Sequence, residues 1–118
     1  MGVQCKVLNS AREGKVSGCV SSLTVAIIYF LRSQDLSESE ARKQTKESID
    51  GLEILDMGSK HISSAFDDGR FNDFEDALQF HSAKGVDVII TRNKRDFARV
   101  AGKIEVLSPE EFVNKYKV

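Results

Sequence analysis

The chain has 118 residues, 41% apolar and 30% charged, with a formal net charge of -1. That length and balance fit one globular domain with its own core. They exclude a molecule that holds nucleic acid through its overall field, so any contact with RNA or DNA must run through a local basic patch.

One proline and eight glycines leave little room for a disordered linker. Cys5 and Cys19 show no CxxC spacing and predict two buried or half-buried thiols in a reducing cytoplasm. No apolar run approaches the roughly 20 residues that span a bilayer, and the N-terminus lacks the regions of a signal peptide. The expectation is a single cytoplasmic domain over residues 1–118 with no membrane partner.

Taken in order, Val3 to Glu13 reads as a helix closed by Gly14. Val16 to Ser21 reads as a short strand, and Ser22 as the cap of a helix that buries Leu23, Ile27, Ile28, Tyr29 and Leu31. Ser37 with Glu40 is a capping box that opens a polar helix through Ile49. Leu52 to Met57 is a second strand, and Ser59 to Phe66 a weaker helix that ends near Asp67-Asp68-Gly69. Asn72 and Glu75 form another box, whose helix runs to Lys84 and stops at Gly85. Val86 to Thr91 has the near-continuous apolar character of a covered parallel strand. Ile104 to Leu107 is the last strand, and Ser108, Pro109 and Glu111 start a final helix that reaches Tyr116.

Strands separated by helices imply an α/β fold with a parallel sheet and right-handed crossovers. Ligands of such sheets gather beyond the carboxyl ends of the strands. Here those ends are Ser21-Ser22, Met57-Gly58 and Thr91 to Asp96.

The helix after Asn72 carries an anomaly. Phe74, Ala77, Leu78, Phe80 and Ala83 share one wide apolar arc, with Glu75, Gln79 and Ser82 opposite. Asp73 and Asp76 fall on the apolar side, where a carboxylate is costly unless it is paired, hydrogen-bonded or ligating a cation. The first turn of a helix also welcomes acids, which accounts well for Asp73 and less well for Asp76. Asp96 follows the strand that ends at Thr91 and reads either as a cap ahead of Phe97 or as a third carboxylate. Acids from a helix start and a strand end can converge on a hard cation such as Mg²⁺ or Mn²⁺. Thr91 would orient a carboxylate or a water, and Asn93 would supply a neutral oxygen. Arg92, Lys94, Arg95 and Arg99 make this segment locally basic, either as phosphate contacts or as a solvated loop. His61 and His81 lack ligand spacing, and His81 reads as a satisfied, partly buried side chain.

Asp73-Phe74-Glu75-Asp76-Ala77-Leu78, Gly85 to Asn93 with Asp96-Phe97, and Val106 to Phe112 together resemble the C-terminal half of a PIN domain, in particular the subgroup related to VapC-type toxins. Upstream, Gly14 to Thr24 followed by Ile28-Tyr29 is similar to the same family. The resemblance implies a three-layer α/β/α fold with a short parallel sheet of about four strands. It also implies a metal-dependent ribonuclease in which Mg²⁺ or Mn²⁺ activates water. By that resemblance Asp76, Asp96 and Asp73 are catalytic acids, and Asp76, Asp96 and Asn93 hold the metal. Thr91, Arg92, Lys94 and Arg95 contact substrate.

Two departures accompany the resemblance. The family's opening strand, often Leu-Asp-Thr-Asn, has no counterpart, and Ile27 falls near the place of a second acid. A site with fewer ligands binds its cation weakly, so the expected activity is impaired. The alternative is a non-catalytic interaction module that binds an antitoxin-like protein or itself. A true start of the gene product upstream of Met1 is a further expectation.

Overall fold

The computed structural model describes residues 9–83 and 85–117. Of the first expected helix, residues 9–12 are helical, while residues 3–8 with Cys5 lie outside the described residues. Gly14 ends this turn with φ +78°, a left-handed conformation that glycine adopts without a Cβ clash. Gly18 is needed for closeness instead: a Cβ there would sit 2.7 Å from Leu52 Cδ2 and 2.8 Å from Ala11 Cβ.

Side-chain caps set the element boundaries that follow. Strand β1 (Cys19–Ser21) runs directly into α1 (Ser22–Ser33). Ser21, rather than Ser22, is the cap, its Oγ accepting from Thr24 N at 3.0 Å. Ser37 accepts from Glu40 N and starts α2 (Glu38–Ser48). Beyond the far end of α2, Arg12 donates from Nε to the Asp50 carbonyl, a cation placed where free carbonyls collect. After β2 (Glu53–Leu55), Gly58 N donates to His61 Nδ1 at the start of α3 (Ser59–Asp67). Helix α4 (Phe74–Ser82) is capped by Asp73 rather than Asn72, because the Asp73 carboxylate accepts from Glu75 N at 2.9 Å. Strand β3 (Val88–Ile90) leads into a 3-10 helix over Lys94–Val100, where an open loop was expected. Then come β4 (Glu105–Leu107) and α5 (Pro109–Tyr116), the latter with the full Ser108–Glu111 capping box.

The strands are parallel, as expected, but among the described residues they form two separate pairs rather than one sheet. β1 pairs with β2 in the register Val20↔Ile54, and β3 with β4 in the register Ile89↔Val106. Each strand is three residues long. No described strand bridges the pairs, so every strand keeps one open edge. Among the described residues no helix is long and apolar enough to cross a membrane.

The core is built in two clusters. Ala65, Ala77 and Leu78 pack with Leu23, Met57 and Phe71, while Phe97, Val100 and Val106 pack with Phe80, Ile89 and Ile104. Phe71, in the α3–α4 connection, belongs to both, its ring 5.5 Å from Phe80 and 5.9 Å from Phe97. The expectation that α1 buries its apolar series is met only in part: Leu23, Ile27, Ile28 and Tyr29 are half-buried, Leu23 against the first cluster, while Leu31 is exposed. None of its residues is buried, and Phe30 and Leu31 are 61% and 60% exposed. Helix α1 leans on α2 and β1, neither of which is wide enough to cover a helix that is apolar nearly all round.

Close to Phe71 in the chain lies a dense polar cluster. Asp68, its side chain 6% exposed, accepts from Arg70 Nε at 2.8 Å, Arg70 Nη2 at 2.7 Å and Arg70 N at 3.0 Å. His81 Nε2 lies 2.9 Å from Asp68 Oδ2, the oxygen that Arg70 Nη2 also meets; an ionised carboxylate can only accept, so the imidazole donates. Arg70 in turn lies over the Phe80 ring at 5.4 Å. The Arg70 side chain, then burial-opposing backbone and His81 hydrogen bonds, hold the Asp68 carboxyl well below the usual carboxylate range. His81 is thus satisfied as expected, by an acid that no motif singled out.

Asp68→Ala should cost about 2–3 kcal/mol at pH 7, since Arg70 and His81 lose their shared acceptor. A depressed carboxyl contributes stability above its unfolded pKa of about 3.9 and loses it as pH falls toward the folded value. The gap between wild type and variant in urea melts should therefore narrow below about pH 4. A gap that stays constant from pH 7 to pH 3 would contradict the assignment.

Candidate metal and phosphate site

Asp73, Asp76 and Asp96 come from the start of α4 and from the 3-10 helix. The first two stand one helical turn apart because they are three positions apart in sequence. Asp76 is half-buried, and its carboxyl is pushed above the ordinary range, first by burial and then by the negative charges of Asp96, Asp73 and Glu75. The fold thus brings Asp96 near Asp76 although 19 intervening residues separate them in sequence. No cation of the chain is paired with Asp76, Asp96 or Asp73 among the described residues.

The three acids are not equivalent. The carboxylate of Asp73 is occupied as a helix cap and exposed, which is the ordinary structural role open to it. Asp96 is exposed in the first turn of the 3-10 helix and does not cap it, since Asn93 occupies that position. Asn93 N donates to Thr91 Oγ1 at 3.0 Å, so Thr91 shapes the turn that carries Asn93.

The basic segment is divided. Arg92 pairs with Glu110 at 3.1 Å and Lys94 with Glu111 at 2.8 Å, both acids in the first turn of α5. The Lys94 contact, with the Ser108 backbone N–H, lowers the Glu111 carboxyl to about 2. Arg95 and Arg99 are exposed and form no ion pair among the described residues. The -Pro-Glu-Glu- start of α5 was legible as a capping box, yet its second use, neutralising two of the four cations, depends on α5 meeting the β3 exit.

The far face of α4 departs from the helical wheel. Ser82, placed on the wet side, is buried with its hydroxyl donating to the Leu78 carbonyl at 2.7 Å. Gln79 donates to Thr24 Oγ1 at 3.0 Å and ties α4 to the start of α1. Phe74, placed on the apolar arc, is 42% exposed and stacks on Phe66.

Comparison with family models, with curated proteins and with solved structures returns no match. The site therefore stands on its own chemistry. Carboxylate oxygens with a neighbouring amide suit a hard divalent cation. Among the described residues no three His, Cys, Asp or Glu side chains stand together at metal-holding spacing. A closed all-protein cage is thus not formed, and what fits is a cation held by one or two carboxylates and completed by waters and substrate phosphate, the habit of Mg²⁺.

Asp76→Asn removes a half-buried charge that faces three other acids. In EDTA at pH 7 the variant should be more stable than wild type by roughly 0.5–1 kcal/mol, the scale of partly solvated charge interactions. Urea melts measure it. A loss of stability would mean that the carboxylate makes a favourable contact within the chain.

Proposed function

We propose that this chain is a PIN-like, metal-dependent ribonuclease of toxin–antitoxin ancestry, with weak activity on its own. The observation that carries the reading is Asp76: half-buried, in no ion pair among the described residues, and near enough to Asp96 for that negative charge to raise its carboxyl. Charges are not held in such a position for stability, and acids so placed cluster at functional sites. The alternation of helices with parallel strands is compatible with the α/β part of this reading.

In this reading Asp76 and Asp96 hold Mg²⁺ or Mn²⁺, with Asn93 lending a neutral oxygen from the turn braced by Thr91. The bound ion supplies a polarised water and neutralises charge on an RNA phosphodiester. Asp73 contributes negative potential while it caps α4. Among the described residues Arg95 and Arg99 are in no ion pair and can meet a phosphate, whereas Arg92 and Lys94 must first leave Glu110 and Glu111. With no acid at Ile27, the ligand set is short and affinity is low.

Millimolar Mn²⁺ should raise the melting temperature of wild type and leave Asp76→Asn unchanged. Slow cleavage of single-stranded RNA should fall at least about tenfold in the same variant, a loss of about 1.4 kcal/mol in transition-state stabilisation. Turnover that is indifferent to Asp76→Asn would refute the assignment.

A second reading, an interaction module, is favoured by α1. Its unburied apolar surface borders a groove of about 460 Å³ lined by Val25, Ala26 and Tyr29 of α1 and by Arg42, Lys46 and Ile49 beside them. A second copy or an antitoxin-like protein would cover it. Light scattering after size exclusion should then report a dimer that Leu31→Lys converts to monomer; a wild-type monomer would remove the homodimer form of this reading.

A further inference from the structure

Two ion pairs join the start of α5 to the exit of β3. Arg92 Nη1 donates to Glu110 Oε1 at 3.1 Å. Lys94 Nζ donates to Glu111 Oε2 at 3.1 Å and lies 2.8 Å from Oε1. The strand register brings them together. Ile90 pairs with Leu107, and Thr91 N donates to the Leu107 carbonyl at 2.9 Å, so both chains leave the sheet at the same rim. The cations follow one strand and the acids the other.

The fold does not need these pairs to hold α5. Pro109 and Phe112 are buried, and the Ser108–Glu111 box caps the helix. All four paired side chains are about half exposed, and ion pairs of that kind contribute little to stability. The dipole of α5 favours acids in its first turn whether or not cations stand opposite. Pairing is therefore a separate feature of this rim. Its direct effect is to occupy Arg92 and Lys94, because carboxylate and phosphate oxygens ask for the same charge-assisted hydrogen bonds. Arg95 and Arg99, on the same basic segment, are exposed and in no ion pair among the described residues.

We propose that Glu110 and Glu111 are an intramolecular latch on the basic segment. They hold Arg92 and Lys94 in the place of phosphate, and a ligand with neighbouring phosphates displaces them to bind in full. The latch rests on the nuclease reading for its purpose, as the regulation of that site. The competition itself involves only these four side chains and needs no cleavage.

Glu110→Gln/Glu111→Gln opens the latch and keeps the cap, since a glutamine at the last position of a capping box still accepts from Ser108 N. Glu13→Gln/Glu38→Gln is the matched control. It makes the same change in net charge and frees Lys15 and Arg42, two cations elsewhere. Titration calorimetry in metal-free buffer at low salt uses two probes, inorganic tripolyphosphate and an abasic deoxyribose-phosphate strand. The latch variant should bind at least one of them about 3- to 10-fold tighter than wild type, the scale of two exposed pairs. The control should change by less than about twofold, and high salt should erase the gain. Adding Arg92→Gln and Lys94→Gln to the latch variant should return the affinity to the wild-type value. Glu110→Gln alone, outside the box, should give about a 2- to 3-fold gain even if the double variant folds poorly.

A gain with either probe upholds the latch, and the probe with the larger gain names the source of the phosphates. Equal affinity of wild type and both latch variants overturns it. So does a gain of the same size in the control, which would be a general effect of net charge, or no binding of either probe by any of the proteins. A gain in binding without RNA cleavage in Mn²⁺ would uphold the latch and defeat the nuclease reading. Cleavage that depends on Asp76, with no gain in binding, would do the reverse.

Discussion

The connection between α3 and α4 governs this molecule. Within four residues it sets a buried carboxylate, Asp68, against Arg70 and His81, and an aromatic ring, Phe71, into both core clusters. Neither cluster is large enough alone to hold the halves of the chain together. Phe71 makes one continuous apolar contact of them, and the Asp68 network fixes the path of the backbone that delivers it. A buried charge is costly unless its lone pairs are met. Here four donors converge on one carboxylate, so the contact specifies geometry as well as contributing energy.

The same connection places the candidate chemistry. Two residues after Phe71 comes Asp73, the cap that starts α4, and one turn later Asp76. Across from them the 3-10 helix is anchored by Phe97 and Val100 in the cluster that Phe71 reaches. Asp96 is therefore held near Asp76 by the packing of its neighbour Phe97 and by its own backbone N–H, which donates to the Asn93 carbonyl at 3.1 Å. Satisfied charge at Asp68 and unsatisfied charge at Asp76 stand on opposite sides of one short segment. The first tightens the fold and the second works against it, a division common where a structure supports a reactive site.

Unfinished surfaces recur through the molecule. Among the described residues two strand pairs keep open edges, α1 leaves Phe30 and Leu31 largely exposed, and Phe66 and Phe74 stack at the surface. Each has different chemistry: backbone donors and acceptors at the strands, aliphatic area with a cationic rim at α1, flat π-faces at the hairpin. They are accordingly suited to different occupants.

Local rules in the sequence determined where elements begin. Ser37, the Ser108–Glu111 box, and the glycines at positions 14 and 85 all act where their chemistry says they should, because caps and left-handed turns depend on a few adjacent atoms. The alternation of strand and helix, the parallel pairing, and the odd position of Asp76 on its helix were also legible. Periodicity could not say which side of α1 or α4 finds a partner. Leu31 and Phe74 lie open while Ser82 is buried, since burial depends on what the neighbouring element covers. Nor could sequence reveal that Arg92 and Lys94 are neutralised by α5, or that Asp68 meets His81 across a loop. Those contacts arise from long-range packing, whose partners are chosen by shape and charge complementarity in three dimensions rather than by spacing along the chain.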